Sequence, residues 1–384
     1  MLIESLLLII VLENQNHLAD LFGQKLKKKI FMNEIKVEIV ADSINQQGNR
    51  LTSLVLTYPR IIHAEMMTHR MFSRNASSSR AVPVQKMIEA VRNNTFCPFE
   101  FQKAHKGMQG TEYFTGQDKE DCIKLWLESA ELALQQAEKM KEKGITKQII
   151  NRILEPYQYY TVLITGSKEG WDNFFSLRSP SYEVGVNKFK SKKDVLDYYS
   201  DEPNYKELKN YTDLEWLQIN KGQAEIHMMM LSEKIYDCIQ ESVPTQLKEN
   251  EWHLPFEDKI NELYPNLTLE DKNKVSVGMA ANTSYTIVGD GSIITLEKAT
   301  RIHDKCKELN HSSVFEHCAR AMSDEEYYSF IKGKVNTGYI DESEHQIFLS
   351  NKFHNWGDYP ELGWCNNLKG FISYRYFIDN KIEL

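Results

Sequence analysis

The chain has 384 residues, 41% of them hydrophobic, and a formal net charge of −8 at pH 7. This length and composition allow a substantial buried core, in one large domain or two. The negative charge argues against a general nucleic-acid-binding protein, which would carry a broad basic excess. Local arginines can nevertheless form a site for a small anionic ligand.

The six cysteines are scattered, and no two of them form a C-x-x-C pair. This spacing is typical of reduced thiols in the core of a cytoplasmic protein and not of disulfides or zinc ligands. We therefore expect a cytoplasmic protein without a metal site. The cysteines are Cys97, Cys122, Cys238, Cys306, Cys318 and Cys365.

Residues 1–31 differ in character from the rest of the chain. The apolar run at residues 6–12 is too short to span a bilayer, and no basic n-region or A-x-A cleavage site accompanies it. Residues 25–29 form a basic patch on a predicted amphipathic helix. We expect an extension outside the main fold and no membrane partner, with a helix lying on a membrane surface as the alternative.

The first predicted elements after this extension are two strands. Residues 35–41 alternate in polarity, and residues 51–58 are β-branched and apolar. The polar residues 45–49 between them include a glycine and favour a turn, so a β-hairpin is expected. A short helix at residues 61–71 is predicted to lead into a polar stretch at residues 68–80.

Residues 93–118 form a long irregular segment rich in aromatic residues. A loop of this length in a compact domain is usually functional, as a lid or as part of a pocket. The segments on either side show helical or strand patterns. We predict helices at residues 84–91, 119–143, 145–154, 171–178 and 294–309, and a central strand at residues 157–165.

Alternating strand pairs and long helices predict an α+β fold, with a central mostly antiparallel sheet flanked by long helices. Residues 182–220 are charged and rich in tyrosine, which indicates an insertion. Residues 246–274 contain prolines and many charged residues, so we expect a linker there. It would join a core at residues 32–245 to a C-terminal part at residues 275–384.

The polar stretch suits an anionic ligand. Arginine side chains pair with two phosphate oxygens at once, serine hydroxyls and backbone N–H groups can complete such a site, and a histidine can donate or stack. A solvated serine-rich loop is the alternative. The candidate residues are His69, Arg70, Arg74, Ser77, Ser78, Ser79 and Arg80.

The spacing of this stretch resembles the R-H-R-x-x-S-x-N-E-x-S-x-R-Y signature of the flavin-dependent thymidylate synthases. Thr68 replaces the first arginine of the signature, Ala76 the glutamate and Ala81 the final tyrosine. Glu65 stands where the family usually has glutamine. The residues that match are His69, Arg70, Ser73, Asn75, Ser78 and Arg80.

Further segments resemble other elements of the same family. Arg152 is in register with the arginine of an R-x-x-L-P element, with Glu155 inserted before the proline. Asn173 and Arg178 match an N-x-x-x-L-R element, in which the asparagine contacts flavin and the arginine contacts the pyrimidine. Their separation is roughly 140° around a helix, which suits two different ligands. Residues 222–227 resemble the A-Q-x-E-I-R element.

The C-terminal part resembles segments that precede the signature in ordinary family members. Residues 277–285 resemble A-A-R-x-S-Y, with Asn282 in place of the arginine. Residues 310–317 resemble the H-x-S/T-P-x-E-H flavin-contact segment, with Val314 in place of the proline. Because these segments follow the signature here, the order indicates a permuted version of the fold.

Two distant segments of the family-like region are weakly similar in sequence. Residues 370–376 are similar in pattern to residues 65–70, which suggests two half-copies of one unit. Arg375 is then the candidate to supply the positive charge that is missing at Thr68. The resemblance also implies self-association, either as a tetramer with active sites between subunits or as a dimer.

The resemblance implies the reductive methylation of dUMP to dTMP with FAD, NADPH and methylenetetrahydrofolate. The protein would bind, orient and stabilise charge without a covalent nucleophile. Arg178 is the predicted catalytic residue, which would stabilise negative charge on the pyrimidine. The predicted nucleotide-binding residues are Glu65, Thr68, Ser77, Ser78, Ser79, Arg80, Arg152 and Arg178, and the predicted cofactor-binding residues are His69, Arg70, Asn173, Ser313, Glu316 and Arg375.

Three functions remain open at this point. The first is that of a flavin-dependent thymidylate synthase. The second is a flavoenzyme that modifies another pyrimidine nucleotide at C5, for instance by hydroxymethylation. The third is a nucleotide- or flavin-binding homologue without turnover. The motif spacing favours the first, whereas the replacements at Thr68 and Ala76 and the added carboxylate of Glu65 favour the other two.

Overall fold

The structure is a computed structural model that describes residues 35–107, 110–203, 205–283, 294–330 and 361–382. The predicted extension at residues 1–31 lies outside these ranges, as do Ser284 and Tyr285 of the 277–285 segment. Within the described ranges, no helix has the length and apolar character needed to cross a bilayer.

The strands are β1 (Lys36–Ile44), β2 (Arg50–Pro59), β3 (Ser73–Ala76), β4 (Tyr159–Ser167), β5 (Tyr182–Val184), β6 (Asn187–Phe189), β7 (Thr245–Gln246), β8 (Trp252–His253), β9 (Ala319–Ala321), β10 (Trp364–Cys365), β11 (Leu368–Lys369) and β12 (Phe371–Ser373). Five of them form a central sheet in the order β3-β4-β2-β1-β7. The β1–β2, β2–β4 and β3–β4 pairs are antiparallel, and the edge pair β1–β7 is parallel. The predicted β-hairpin is thus confirmed.

The helices are α1 (His63–Met66), α2 (Val84–Asn93), α3 (Gly116–Glu142), α4 (Lys147–Leu154), α5 (Lys168–Arg178), α6 (Lys192–Tyr198), α7 (Tyr205–Lys209), α8 (Asp213–Ile219), α9 (Ile226–Glu241), α10 (Glu257–Leu263), α11 (Leu269–Asn282), α12 (Leu296–Glu308), α13 (Asp324–Ser329) and α14 (Tyr374–Asp379). Helices α5 and α9 pack on one face of the sheet and α10, α11 and α12 on the other, which confirms the predicted α+β class with a central mostly antiparallel sheet. The helices predicted at residues 84–91, 119–143, 145–154, 171–178 and 294–309 correspond to α2, α3, α4, α5 and α12.

Both faces of the sheet are covered because successive side chains of a strand point to opposite sides. Leu54 and Leu56 of β2 belong to the core formed with α5 and α9. Val55 packs with the core formed by α10, α11 and α12. Every residue of β4 is buried, as expected for a strand with a neighbour on each edge and helices on each face.

The helix predicted at residues 61–71 is wrong beyond Met66. A 3₁₀ turn at Arg60–Ile62 leads into α1, which ends at Met66. Side chains then bond the carbonyls that a longer helix would use: the Thr68 hydroxyl donates to the Glu65 carbonyl at 2.7 Å, and Arg74 Nη1 donates to the Met67 carbonyl at 2.7 Å. Such local bonds compete with helix propagation.

Residues 246–274, expected to form a linker, contain β8, α10 and the start of α11. Trp252 and Leu254 are buried in one hydrophobic core, and Phe256 and Ile260 in another. The charged residues that suggested a linker lie on the outer face of these elements, while the apolar residues between them bind the segment to the fold.

The predicted insertion at residues 182–220 folds into a hairpin, β5–β6, and the three short helices α6, α7 and α8. Tyr182, Val195, Leu208 and Trp216 form its small core. Glu233 of α9 anchors it, because one carboxylate oxygen accepts from the Tyr182 hydroxyl at 3.0 Å and the other from the Lys192 N–H at 2.6 Å.

Two buried histidines connect the sheet to the C-terminal part of the chain. His253 Nε2 lies 2.8 Å from Ser53 Oγ, which lies 2.6 Å from Thr165 Oγ1, and Thr165 Oγ1 lies 2.9 Å from His317 Nδ1. His253 Nδ1 lies 2.9 Å from Ser43 Oγ. Burial lowers the pKa of His253 to about 4 and that of His317 to about 3, so both rings are neutral at pH 7.

We predict that stability falls as the pH drops below the ordinary histidine pKa. The unfolded chain then takes up protons that the folded chain excludes until the pH reaches the lowered values. Between pH 7.5 and pH 5 each histidine should cost about 2 kcal/mol of unfolding free energy. Urea denaturation of the wild type and of His253→Gln at several pH values measures this, and the variant should show a shallower pH dependence. Equal slopes for the two proteins would contradict the prediction.

Candidate functional site

Arg178 is held by three side chains from the 65–69 segment. It is the last residue of α5, and its Nε donates to His69 Nε2 at 3.0 Å. Nη1 donates to Glu65 Oε2 at 2.7 Å, and Nη2 donates to Thr68 Oγ1 at 3.3 Å. Four predicted site residues therefore meet, and the guanidinium has a fixed orientation before any ligand binds. We call these four residues the Arg178 cluster.

His69 is a neutral acceptor in this cluster. Burial is the main cause that lowers its pKa to about 4, and the positive charges of Arg178 and Arg74 act in the same direction. Because Nε2 accepts from Arg178, the ring proton of the neutral form is on Nδ1. The ring packs edge-on against Phe174, with the centroids 5.0 Å apart, which fixes its plane.

Glu65 is less acidic than an ordinary glutamate. Burial raises its pKa, and the charge of Glu225 adds to this, whereas Arg178 opposes it. Glu225 is one of the residues that matched the A-Q-x-E-I-R element, and it caps α9 by accepting from the His227 and Met228 N–H groups at 2.8 and 3.1 Å. Glu225 thus lies close enough to Glu65 for the two charges to interact.

The 93–118 segment, expected to be a lid or part of a pocket, packs against the start of α9. His227 Nδ1 lies 2.7 Å from Glu225 Oε1, and the Phe99 N–H donates to His227 Nε2 at 3.4 Å. The rings of Phe96 and Phe99 lie edge-on to the His227 ring, with centroids 5.3 and 5.2 Å away. Through Glu225 this segment is linked electrostatically to the Arg178 cluster.

The serine residues after β3 form a loop with a fixed backbone. The Ser77 N–H donates to the Thr161 carbonyl at 3.1 Å. Asn151 of α4, which is fully buried, donates from Nδ2 to the carbonyls of Ser79 at 2.7 Å and of Val82 at 2.9 Å. We refer to residues 77–80 as the serine loop.

The predicted phosphate-binding residues differ in their exposure. Ser77 and Ser79 are buried, Ser78 is partly buried and Arg80 is exposed. Arg152 is also exposed, and its Nε donates to the Gln148 carbonyl of its own helix at 3.2 Å. The contact from α4 to the serine loop is made by Asn151, so a role for Arg152 stays a prediction.

A cleft of about 1030 Å³ lies between β3, the end of α11, α12 and residues 311–314. Asn75 of the signature enters it from β3, and its Nδ2 donates to the Ala280 carbonyl. Ser313 lines it as well, so residues far apart in sequence come together here. The lining residues are Asn75, Ala281, Glu297, Thr300, Arg301, Ile302, Asp304, Lys305, Cys306, Glu308, Leu309, His311, Ser313 and Val314.

Glu316 and Arg375 form an ion pair with each other. Arg375 also pairs with Asp379 at 3.1 Å, so two carboxylates share its charge. Thr68, whose missing charge Arg375 was expected to replace, is bonded to Arg178, and the role of Arg375 stays a prediction. Glu316 interacts electrostatically with Arg74, which places the pair near β3.

Arg70 and Asn173, the other two predicted cofactor-binding residues, are exposed. Neither is among the residues that line the cleft. No group of three or more histidine, cysteine, aspartate or glutamate side chains within the described ranges is arranged to hold a metal ion.

Two residues that organise the site were not among those predicted for it. Asn75 matched the signature, and its position in that motif was the available signal. Asn151 lies between apolar residues on the buried side of α4, with Ile150 and Leu154. A lone amide at such a position indicates a buried hydrogen-bonding role.

No protein-family model matches the chain, and no curated protein sequence matches it. Similar solved structures include PolB from Streptomyces cacaoi, a UMP/dUMP methylase, bound with 5-Br UMP. Its sequence is 14% identical to this one, the TM-score is 0.37, and the match covers 54% of this chain and 90% of that chain. The same protein bound with 5-Br dUMP is 12% identical, with a TM-score of 0.38, over 54% of this chain and 91% of that chain. Similarity this low establishes neither family nor substrate.

We predict that replacing Arg178 with glutamine raises the pKa of His69. The substitution removes a positive charge that disfavours the imidazolium form of His69. Burial, the larger cause of the lowered pKa, remains, so the pKa should stay below its ordinary value near 6.5. A pH titration of the His69 ring nitrogens by ¹⁵N NMR measures the shift. Arg92→Gln, an exposed arginine paired with Glu138, is the control. An unchanged or lowered His69 pKa in Arg178→Gln would contradict the contact.

Proposed function

We propose that this chain is a flavin-dependent enzyme that modifies a pyrimidine nucleotide at C5, and that its reaction is the methylation of dUMP to dTMP with methylenetetrahydrofolate, FAD and NADPH. The supporting observation is the meeting of three distant segments beside β3. Arg178 contacts the 65–69 segment, and Asn75 shares a cleft with Ser313. These are the segments whose sequences resemble the flavin-dependent thymidylate synthases.

Arg178 would act on the pyrimidine base. A guanidinium with its orientation fixed by His69, Glu65 and Thr68 stabilises negative charge on a ring carbonyl without reorganising during the reaction. Its terminal nitrogens carry four N–H groups, of which Glu65 and Thr68 use two, so donors remain for the base. Neutral His69 would keep the guanidinium in place at any pH above its lowered pKa.

The serine loop would bind the phosphate of the nucleotide. Its backbone is fixed by Asn151 and by the bond from Ser77 to Thr161, so its hydroxyl groups are positioned before the nucleotide binds. Exposed Arg80 is placed to add a charge-assisted contact from the solvent side. Arg152, also exposed and on the adjacent helix, is proposed to help.

The residues of the cleft fit a flavin nucleotide. Its volume of about 1030 Å³ is at the upper end of the range for ligand sites in proteins. Arg301 and Lys305 on α12 would supply positive charge for a diphosphate, and Asn75 and Ser313 would supply polar groups. Lys305 is paired with Glu308 at 3.0 Å, so a diphosphate would have to compete with that carboxylate. A bound reduced flavin supplies hydride for this kind of chemistry. His69, Arg70, Asn173, Glu316 and Arg375 are proposed as further cofactor contacts.

Exposed apolar side chains occur close in sequence to the residues of the Arg178 cluster and support self-association over it. Ile61, Met67 and Leu177 are 38%, 42% and 59% exposed. Apolar side chains grouped beside a polar site often mark a surface that another protein chain covers. We propose that a dimer or tetramer closes the site.

A second candidate is modification of another pyrimidine nucleotide. It is favoured by Glu65, an acceptor beside Arg178 whose pKa is raised by burial and by Glu225. A carboxylate at the base-recognition position accepts hydrogen bonds from amino groups, such as the N4 amino group of cytosine. The two candidates therefore differ in the base that they accept.

The test is turnover with FAD, NADPH and methylenetetrahydrofolate, with dUMP and dCMP supplied separately and the products identified by mass spectrometry. Formation of dTMP from dUMP supports the leading proposal, and a modified product from dCMP alone supports the second. A protein that binds flavin or nucleotide but forms no product from either would overturn both and leave a binding function.

We predict that Arg178→Ala lowers kcat by roughly 10²- to 10³-fold, the usual cost of removing a charge-stabilising donor. Flavin content should fall much less than kcat, because the proposed contact of Arg178 is with the pyrimidine base. Arg92→Ala is the matched control and should retain activity. Loss of flavin in proportion to activity would instead assign Arg178 a structural role.

A further inference from the structure

A small notch lies between the serine loop and the start of β4. Ser77, Ser78 and Ser79 line one side, and Gln158, Tyr159 and Tyr160 line the other, with Val82 and Met87 completing it. Its volume is about 10 Å³, which is room for a single oxygen-sized group. A whole phosphate does not fit, but one of its oxygens does.

Gln158, one of the residues that line the notch, has a buried donor without a partner. The Gln158 residue is only 4% exposed, and its Nε2 has no hydrogen bond within the described part of the chain. A buried N–H group is nearly always paired with protein, water or ligand, so an unpaired one calls for a missing partner. Because the group donates, that partner is an acceptor.

A guanidinium packs on one of the residues that line the notch. The Arg60 guanidinium carbon is 3.8 Å from the centre of the Tyr160 ring, and Tyr160 lines the notch. The backbone N–H of Arg60 donates to the Gln158 carbonyl at 2.9 Å. Arg60 Nη1 is itself buried without a partner, and the nearest carboxylate contact is from Nη2 to Glu155 at 3.3 Å. Glu155 balances part of the Arg60 charge, and the unpaired Nη1 donor is left for a charge-assisted contact with an anionic acceptor.

We infer that the notch binds one phosphoryl oxygen of the nucleotide, with Gln158 Nε2 as its donor and Arg60 as a nearby source of positive charge. This inference rests on the proposed function, since it assigns the anion to the nucleotide. The remaining phosphate oxygens then lie outside the notch, beside Ser78 and Arg80. Gln158 is a substrate-positioning residue that the signature motif does not include.

The experiment compares the wild type with Gln158→Leu in titrations of dUMP, deoxyuridine and inorganic phosphate. Loss of a hydrogen bond to a charged group should weaken dUMP binding by about 10-fold or more. Binding of deoxyuridine, which lacks the phosphate, should not change. The Tm of the ligand-free variant should be equal or higher, because an unpaired polar group becomes apolar. Equal dUMP affinity in both proteins, or an equal loss for deoxyuridine, would overturn the inference.

Two further variants keep the test decisive. Gln158→Glu keeps the side-chain size but places negative charge in the notch, so dUMP affinity should fall further than in Gln158→Leu. Gln148→Leu, an exposed position on α4, is the control and should bind dUMP as the wild type does.

The Tm measured with inorganic phosphate tests the oxyanion site independently of the proposed reaction. If phosphate raises the Tm of the wild type but not of Gln158→Leu, the oxyanion site stands even when dUMP is not converted. If neither phosphate nor any nucleotide raises the Tm of the wild type, the notch is not an oxyanion site.

Discussion

The pairing of β3 with β4 is the constraint on which the candidate site depends. Strand β4 is buried along its whole length, and the four residues of β3 are aligned along its edge. This register fixes the segment before β3, which carries Glu65 and His69, and the serine loop after it. It also directs Asn75 into the cleft beside α12. The β3–β4 pair therefore fixes the positions of the 65–69 segment, the serine loop and the cleft relative to one another.

Arginines stabilise the irregular backbone on which the site is built. Arg74 Nη1 donates to the carbonyls of Met67 and His69, which closes the turn between α1 and β3. Arg178 then holds the side chains of the same turn. Burial lowers the pKa of Arg74, while the negative charge of Glu316 opposes this, so the C-terminal part contributes to the electrostatics of the turn. Loop residues can position ligands only when their backbone is restrained in this way.

The sheet was predictable where the strands carry their own signal. The β-branched and aromatic residues of β2 and β4 identify them as buried strands, and the hairpin turn sets the β1–β2 register. Strand β3 was not predictable, because Ser73–Ala76 has no strand pattern and is ordered by its partner β4. The segment expected to be a linker has few apolar residues among many charged ones, so its sequence showed little sign of a folded structure. Burial of Trp252 and Leu254 nevertheless attaches it to a hydrophobic core.

The candidate site, like the sheet, was predictable only in part. The resemblance assigned Glu65, Thr68 and Arg178 to the nucleotide and His69 to the flavin, and the structure brings these four residues together. The resemblance was not enough to find Asn151 or Gln158, whose roles come from burial next to a loop that is distant in sequence. The Arg375 hypothesis depended on an echo in the pattern, whereas the structure pairs Arg375 with Glu316 and Asp379.

We propose that the cleft beside β3 binds the flavin of an enzyme whose base-recognition residue is Arg178. The most direct measurement is a titration of the purified protein with FAD, followed by flavin fluorescence, and then addition of dUMP or dCMP to the saturated complex. We expect saturable binding of one FAD per chain and a spectral change on addition of one of the nucleotides. Asn75→Leu should weaken FAD binding. Failure of the wild type to bind FAD saturably would contradict the assignment of the cleft as a flavin site.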